Sequence, residues 1–351
     1  MSKTRSQSRD RDRARNQGRR PRPGRLGVGI VSAGRVGAVL GSALRAVDHR
    51  VVGVHAVSEA SRERAEMLLP GVPVLEVEEV VRRAELVLLA VPDDELAGLV
   101  GGLADVGAWR AGQLVVHTSG RYGADVLAPA QRAGAVPIAL HPAMTFSGYS
   151  TDVARLAGCP MAVTAPAAFL PVAQALAVEL GGEPFVLEED ARPAYHAALA
   201  HGANHLVTLV GQAVRALEAA GVGDGAATLR PLLTAALDRA LREGADAALT
   251  GPVARGDAGT VRAHLEALGG LRDPGTGAVL GDVVEGYRAM AAATVERRAA
   301  VGRLDPARVE ALRTALGPGP ALGPGPGGGP GPGGDPGPGD GPGAQPGTVG
   351  S

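Results

Sequence analysis

The sequence predicts an α/β protein, a doubly wound parallel sheet followed by an all-α C-terminal part. Three observations predict it. An apolar run, Leu26–Val31, passes through a glycine turn into a helix rich in Ala and Val, the geometry that holds a dinucleotide pyrophosphate over a helix N-terminus. From there to about residue 190, strand-like and helix-like stretches alternate, as in parallel βαβ units. Beyond 190 the chain runs helix after helix in Ala, Leu, Val and Arg, with no convincing strand.

The elements follow in order. After the glycine-turn helix, Arg50–Val57 reads as a second strand of β-branched residues, and Ser61–Leu69 as a charged helix. Val72–Leu75 reads as a short third strand and Val77–Ala84 as a short helix. Glu85–Val91 is a continuous apolar run, expected of a strand buried on both faces. It stops at Pro92-Asp93-Asp94, where an aspartate is expected to cap a helix through about Leu103. Gln113–His117 and Ala135–Leu140 are the fifth and sixth strands, with the helix Ala124–Arg132 between them. Two shorter strands, Pro160–Thr164 and Pro184–Leu187, flank the helix Phe169–Leu180.

Composition sets the outer limits. Residues 1–25 hold ten Lys and Arg against two Asp, and the chain from 317 on is a Gly/Pro run. Neither has the apolar surface to offset ordering entropy, so residues 1–24 and 317–351 are expected to be disordered tails. The domains expected between them are a dinucleotide-binding domain over 25–190 and an all-α substrate or dimerisation domain over 191–316. The arm carries a net +8, which leaves −9 for the rest of a chain whose total is −1. An acidic folded part argues against nucleic-acid binding. No stretch of 18 uninterrupted apolar residues exists and there is one cysteine, Cys159. Neither a membrane span nor a disulfide framework is expected, nor a metal site, and a cytoplasmic protein is. Lys3, in the arm, is the only lysine, so a mechanism that needs a lysine acid, base or Schiff base is out.

Ligands of open α/β sheets bind beyond the carboxyl ends of the strands. The first strand ends in Ser32-x-Gly34-x-x-Gly37, where the fingerprint wants three glycines. Gly34 would let the backbone approach the pyrophosphate and Gly37 would let the helix pack on the strand, while Ser32 stands where the turn-making glycine belongs; Arg35 and Val36 complete the stretch. The second strand ends in Ser58, with Arg62 and Arg64 opening the next helix. Small polar and Arg residues there suit the 2′-phosphate of NADP, whereas Glu59 beside them could hold the ribose hydroxyls of NAD. The apolar run ends in Val91-Pro92-Asp93, the fifth strand in His117-Thr118-Ser119-Gly120, and the sixth in His141-Pro142. His117 and His141 are candidates for proton transfer, or each could simply bond loop backbone.

The helix Pro193–Gly221 has the composition of a helix buried on most sides. A polar row, His201, Asn204, His205, Thr208 and Gln212, runs up it at helical spacing. That row faces either a substrate cleft or another helix or subunit, and Asn204 is its best candidate for substrate contact. Tyr195 and His196 near the helix start would lie nearest the domain junction. Further on, Thr250-Gly251-Pro252-Val253-Ala254-Arg255-Gly256-Asp257 joins two helices. Asp257 can cap the second of them, and Arg255 can pin Asp257 or reach an anionic substrate.

These motifs together resemble a family of predicted oxidoreductases that joins an N-terminal Rossmann-like domain to the domain of unknown function 2520. The matching residues are GRVG (Gly34–Gly37), LAVPDD (Leu89–Asp94), HTSG (His117–Gly120), LHP…TF (Leu140 to Phe146), YHAA…N (Tyr195 to Asn204) and TGPVARGD (Thr250–Asp257). The resemblance implies an NADP-type Rossmann-like domain followed by a helical domain like the dimerisation domains of pyrroline-carboxylate reductases and β-hydroxyacid dehydrogenases, hence a homodimer. Some members of the group are an alternative type of ketopantoate reductase, in pantothenate synthesis. The related hydroxyacid dehydrogenases and ordinary ketopantoate reductases use Lys-x-x-x-Asn on the first helix of the second domain. Asn204 can take the asparagine role, but Ala200 stands at the lysine position.

The expectation is therefore an NADPH-dependent reductase of a small 2-keto acid, with 2-dehydropantoate the leading substrate. Its proton would come from His117, His141 or His196. Asn204 and Ser119 would orient the keto oxygen, and Arg255 would hold the carboxylate. The alternatives are a reductase of an imine or of another keto acid, and a non-enzymatic NADP-binding sensor.

Overall fold

The computed structural model describes residues 25–318, so the expectations for the basic arm and for the Gly/Pro segment from 319 on lie outside the described residues. The chain divides into two compact units, one ending at Leu206 and one beginning at Val207.

The first unit is built on a seven-stranded sheet in the order β2-β1-β3-β4-β5-β6-β7. The strands are β1 (Gly27–Val31), β2 (Arg50–His55), β3 (Leu86–Leu89), β4 (Leu114–His117), β5 (Val136–Pro142), β6 (Pro160–Thr164) and β7 (Glu183–Val186). β1 pairs in parallel with β2 on one side and β3 on the other. The strand order reverses there, opening the crevice in which such sheets bind ligands. Every residue of β1 and β3 is buried, as their unbroken apolar runs require.

Helices cover both faces. α1 (Arg35–Ala46), α2 (Glu59–Leu68) and α7 (Leu170–Glu179) contribute Leu40, Leu68 and Leu176 to one core cluster. α3 (Val77–Arg83), α4 (Asp93–Asp105) and α5 (Ala128–Arg132) contribute Val80, Leu96 and Ala130 to a second cluster. Val31, Leu89 and Val115 belong to the second cluster, while Ile30, Leu88 and Val116 belong to the first. That alternation is the period-two signature of a sheet with two dry faces.

The structure corrects three expectations. Val72–Leu75 forms only a single bridge, Val54 to Val74, because Pro73 has no N–H to continue a ladder. The sheet is not wholly parallel: β6 runs antiparallel to β5, with Leu140 opposite Val163. The segment between them holds one short helix, α6 (Thr151–Arg155), and no element that crosses back over the sheet, so the chain returns in the opposite sense. Asp93 does not cap α4. It is the first helical residue, Pro92 is the N-cap, and no side-chain cap bond forms. The three acids Asp93, Asp94 and Glu95 instead lie in the first turn, where they complement the helix dipole.

The long C-terminal helix begins as α8 (Arg192–Leu199), passes through one π turn at Ala200–Asn204 and continues as α9 (His205–Ala219). The π turn breaks the expected spacing, so the polar row from His201 to Gln212 is not one regular stripe. The expectation of a mostly buried helix also fails within one chain. No residue of α9 is buried, and Val207 is 74% exposed.

The second unit comprises the rest of α9, α10 (Gly225–Glu243), α11 (Ala245–Ala248), α12 (Gly251–Arg255), α13 (Ala258–Gly270), α14 (Gly281–Ala300) and α15 (Pro306–Leu316). Its core is Val261, Ala291, Val295, Leu304, Val309, Leu312 and Leu316, supplied by α13, α14, α15 and the turn before α15.

Candidate functional site

Two groups of residues gather in the first unit. The first is the glycine turn. Ser32 adopts a left-handed φ of 78°, a backbone that suits glycine, so the turn survives with a serine in it. The Ser32 hydroxyl makes no hydrogen bond among the described residues. Gly34 is the N-cap of α1 and makes no side-chain cap bond, and the first turn of α1 carries no acid. A Cβ on Gly34 would meet only Ser32 Oγ, at 3.4 Å, so its own packing does not demand glycine. At Gly37 packing does demand it, because a Cβ there would collide with the Ser32 carbonyl oxygen and touch Ala90 Cβ at 3.0 Å. The unbonded N–H groups at the start of α1 and the open space over Gly34 make this end of the helix fit an anion.

Two arginines lie at that end, and a third stands past β2. Arg35, the first residue of α1, is exposed and makes no ion pair among the described residues. Arg64 donates from Nη1 to the Ala33 carbonyl at 3.4 Å, and both Arg35 and Arg64 lie against Gly148. Asp152 holds the Gly148 loop, accepting from Ser147 N at 2.6 Å and Gly148 N at 2.8 Å. Arg62 is exposed, its Nε 3.5 Å from the Ala56 carbonyl. Ser58 caps α2, accepting from Ser61 N at 3.2 Å, and Glu59 lies exposed in the first turn. Val36 packs at the margin of the core, Val91 is half-buried and Pro92 is exposed.

The second group lies past β4 and β5. His117 is fully buried, with Nε2 2.7 Å from the Gly123 carbonyl and Nδ1 accepting from Ser119 N at 3.2 Å. Both ring nitrogens are thus engaged by the loop that follows β4, and burial pushes the imidazole down to about 3. Of the two roles open to it, the geometry gives His117 that of tying the loop. Ser119 Oγ accepts from the backbone N–H of Arg121 and of Tyr122, each at 3.1 Å.

His141 is different. Its Nδ1 lies 3.0 Å from the Tyr195 hydroxyl, and its ring meets those of Tyr195 and His196 edge-on, centroids 5.6 and 6.0 Å away. Burial first, then His196 and Arg192, hold it down at about 4, so it is neutral near pH 7. Gly120 admits this arrangement, since a Cβ there would stand 2.8 Å from His196 Cδ2 and 2.9 Å from His141 Nε2.

Beneath the cluster lies Arg192, which is wholly buried. Its Nε donates to Thr164 Oγ1 at 2.8 Å, Nη1 to the Ser119 carbonyl at 3.1 Å, and Nη2 to the carbonyls of Ala139 and Ala162, each at 3.1 Å. One guanidinium thus joins the β4 loop, β5 and β6 to the start of α8. Desolvation brings it down to about 10, against the raising influence of Tyr195 and Glu189, so it stays charged. Sequence reasoning passed over Arg192, because an Arg beside Pro193 at a helix start carries no mark distinguishing it from a solvated one. It named Tyr195 only by position.

The other predicted residues stand on other elements. Asn204 ends the π turn and is exposed, and next to it His201 Nδ1 and His205 Nδ1 are 3.0 Å apart. Arg255 ends α12 in the second unit with its side chain exposed. It does not pin Asp257, which caps α13 as expected by accepting from Thr260 N at 3.0 Å. No three His, Cys, Asp or Glu among the described residues converge as a metal site would need. No helix among them is long and apolar enough to cross a membrane.

Comparison with known proteins agrees with this architecture. A Rossmann-like domain model matches residues 12–142, and the model of a domain of unknown function (DUF2520) matches residues 159–294. The second match begins just before β6, so two strands of the one sheet belong to it. No curated protein sequence matches the chain. Among solved structures, a provisionally named NADP oxidoreductase from Bacteroides fragilis is 20% identical, covers 77% of this chain and 98% of its own, and superposes with a TM-score of 0.63. An imine reductase from Myxococcus stipitatus in complex with NADP+ is also 20% identical, with 82% and 99% covered and a TM-score of 0.54. A reductive aminase from Aspergillus terreus in complex with NADPH and ethyl levulinate is 15% identical, with 82% and 98% covered and a TM-score of 0.53. At these identities the likeness is one of fold.

Proposed function

Because the chain belongs to the family that joins a Rossmann-like domain to the DUF2520 domain, we propose that it is an NADPH-dependent oxidoreductase that reduces a small 2-keto acid, 2-dehydropantoate first among the candidates. The observation that carries this reading is the glycine turn: Gly37 has no room for a Cβ, and the α1 N-terminus at Gly34 is open and has no acid in its first turn. NADPH, when bound, supplies the hydride. Ser32, Gly34, Arg35, Val36 and Gly37 hold its pyrophosphate, while Ser58, Arg62 and Arg64 hold the 2′-phosphate. Val91, Pro92 and Asp93 line the nicotinamide side. The polar cluster past β4 and β5 then faces the reacting carbonyl, with His141 and His196 as its imidazoles and Ser119 and Asn204 as orienting groups; Arg255, from a partner subunit, is the candidate for the substrate carboxylate.

The test is NADPH oxidation with 2-dehydropantoate, other 2-keto acids, pyrroline-5-carboxylate and further cyclic imines. Turnover of 2-dehydropantoate above the rest supports the specific claim, and none above background sinks it. Imine reduction is the second reading, favoured by the fold shared with the Myxococcus imine reductase across 82% of this chain. Tight NADPH binding without turnover of any substrate would leave a cofactor-binding sensor.

The oligomer we propose is a homodimer through the C-terminal helices. Val207 on α9 and Leu232, Leu237 and Leu241 on α10 are 74%, 66%, 50% and 78% exposed. Apolar side chains so concentrated on two helices are what a second copy would cover.

A further inference from the structure

We propose that Tyr195 is the proton donor of this site, with His141 as the relay that returns its proton and Arg192 as the buried cation that stabilises its phenolate. The proposal rests on the reductase reading above and adds to it the identity of the acid.

The chain has no lysine outside its N-terminal arm, and both nitrogens of His117 are bonded to backbone. Past β4 and β5 that leaves Tyr195, His141 and His196 as side chains able to give a proton. A neutral imidazole as depressed as that of His141 is almost never in its cationic form near pH 7, so it cannot be the principal acid. Tyr195 has a proton source that His196 lacks. Its hydroxyl is 3.0 Å from a nitrogen that can restore the lost proton. Like His196, it stands one turn beyond Arg192 on α8, and among the described residues that guanidinium makes no ion pair and spends its hydrogen bonds on carbonyls and Thr164. Phe185 packs edge-on against the phenol ring, centroids 6.0 Å apart, and fixes its plane. Burial raises the Tyr195 phenol and Cys159 adds to that, while the Arg192 charge pulls it down; His196, His141 and Glu189 are the other titratable groups facing this cluster.

The proton balance closes. As the substrate carbonyl carbon takes up hydride, the C=O π pair moves to oxygen. That oxygen bonds the Tyr195 proton, and the Tyr195 O–H bond breaks. In the tautomer with hydrogen on Nδ1, His141 donates to Tyr195 Oη and leaves the phenol O–H free to point at substrate. The Nδ1 proton then passes to the phenolate while Nε2 takes one from water, so the imidazole ends neutral with hydrogen on Nε2; exchange with water restores the Nδ1 tautomer, and the proton consumed comes from solvent.

The experiment uses the full chain. Tyr195→Phe keeps the ring packing, and it should lower kcat by about a hundredfold or more on whichever substrate the wild type reduces. NADPH affinity, read by fluorescence titration, should stay within about twofold. Nitrogen NMR of the apo protein should show the His141 Nδ1 resonance move in Tyr195→Phe, a change that needs no turnover. Arg192→Lys should lower kcat while leaving KM near its wild-type value. An active wild type whose Tyr195→Phe variant keeps its kcat, or loses less than His196→Asn does, overturns the assignment and leaves the reductase intact. A wild type that turns over nothing overturns the reductase reading, and this proposal with it.

Discussion

The carbonyl oxygen of Ser32 and the α-carbon of Gly37 approach so closely that no Cβ fits between them. Any side chain at 37 must push α1 away from β1 or open the turn. Gly37→Ala is therefore expected to destabilise the protein by about 1–3 kcal/mol, the usual cost of overpacking, and to weaken NADPH binding at least tenfold by order of magnitude, since the displaced backbone is the surface proposed to hold the pyrophosphate. Fluorescence titration checks the affinity and urea unfolding the stability. Unchanged affinity would remove this turn from the cofactor site.

Ser32 poses the opposite problem. Its φ of 78° costs an L-residue about 1–2 kcal/mol, partly offset in a glycine variant by greater freedom of the unfolded chain. Ser32→Gly should thus raise stability by up to about 1 kcal/mol, seen as a higher urea midpoint. The same variant reports on the hydroxyl. Tenfold weaker NADPH binding would mean a direct contact with the cofactor, and unchanged binding would make the serine a tolerated substitution.

Arg192 decides how the β4 loop, β5 and β6 are held together. Two effects oppose each other on replacing it. An apolar side chain removes a desolvated cation, but it leaves three carbonyls and Thr164 without the donors they now have. Each orphaned buried acceptor costs about 1–3 kcal/mol, so the second effect wins. Arg192→Met should destabilise by about 3 kcal/mol or more. Arg192→Lys should fall between it and the wild type, because one ammonium cannot span from Ser119 to Ala162. Denaturant midpoints of the two variants test the ranking, and a fully stable Arg192→Met would refute the tie.

These sites show how far the sequence carries. The alternation of apolar runs and helices placed the strands β1 to β5 because burial on two faces leaves a strong local signal, as in Leu86–Leu89. β6 was legible as a strand at Pro160–Thr164, but its antiparallel direction was not, since direction depends on where the connection passes and not on the strand's own residues. The glycine turn was legible because the close approach that Gly37 allows is to the Ser32 carbonyl, five residues away in the same turn. Its neighbour Arg64 and the Gly148 loop meet only through tertiary packing across more than eighty residues. The same holds for Tyr195 and His141, and for the buried state of Arg192. Two histidines ending adjacent strands look equivalent in sequence. The loop after β4 closes on His117, whereas that after β5 leaves His141 to Tyr195.

Exposed leucines on the C-terminal helices make the oligomer testable. Leu237 and Leu241 lie one turn apart on α10 at 50% and 78% exposure. If a second copy covers them, a Leu237→Asp, Leu241→Asp double variant buries two charges in an apolar interface, each unpaired. Sedimentation should then show a monomer where the wild type sediments as a dimer, with the helical content of each chain retained. A wild type that is already monomeric at micromolar concentration removes the dimer.

Acid stability follows from the histidines. His117 is held down at about 3 and His141 at about 4, both first by burial, whereas an unfolded histidine titrates near 6.5. Below that value the unfolded chain binds protons that the folded chain refuses, so stability falls as pH drops from 6.5 toward the folded values and is fully present above 6.5. His117 alone should cost roughly 1.5–2 kcal/mol between pH 6.5 and pH 5. Asp152 is shifted the other way in its folded state: burial raises its carboxyl, but the bonds from Gly148, Ser147 and Arg155 outweigh that and lower it. Its contribution is therefore present above the ordinary carboxylate range and disappears only at more acidic pH. The two sources separate by mutation. In His117→Asn the slope of unfolding free energy against pH between 6.5 and 5 should become shallower, while the further loss below about pH 4 should remain. An equal slope in the variant and the wild type would mean that His117 is protonated as readily in the folded chain as in the unfolded one.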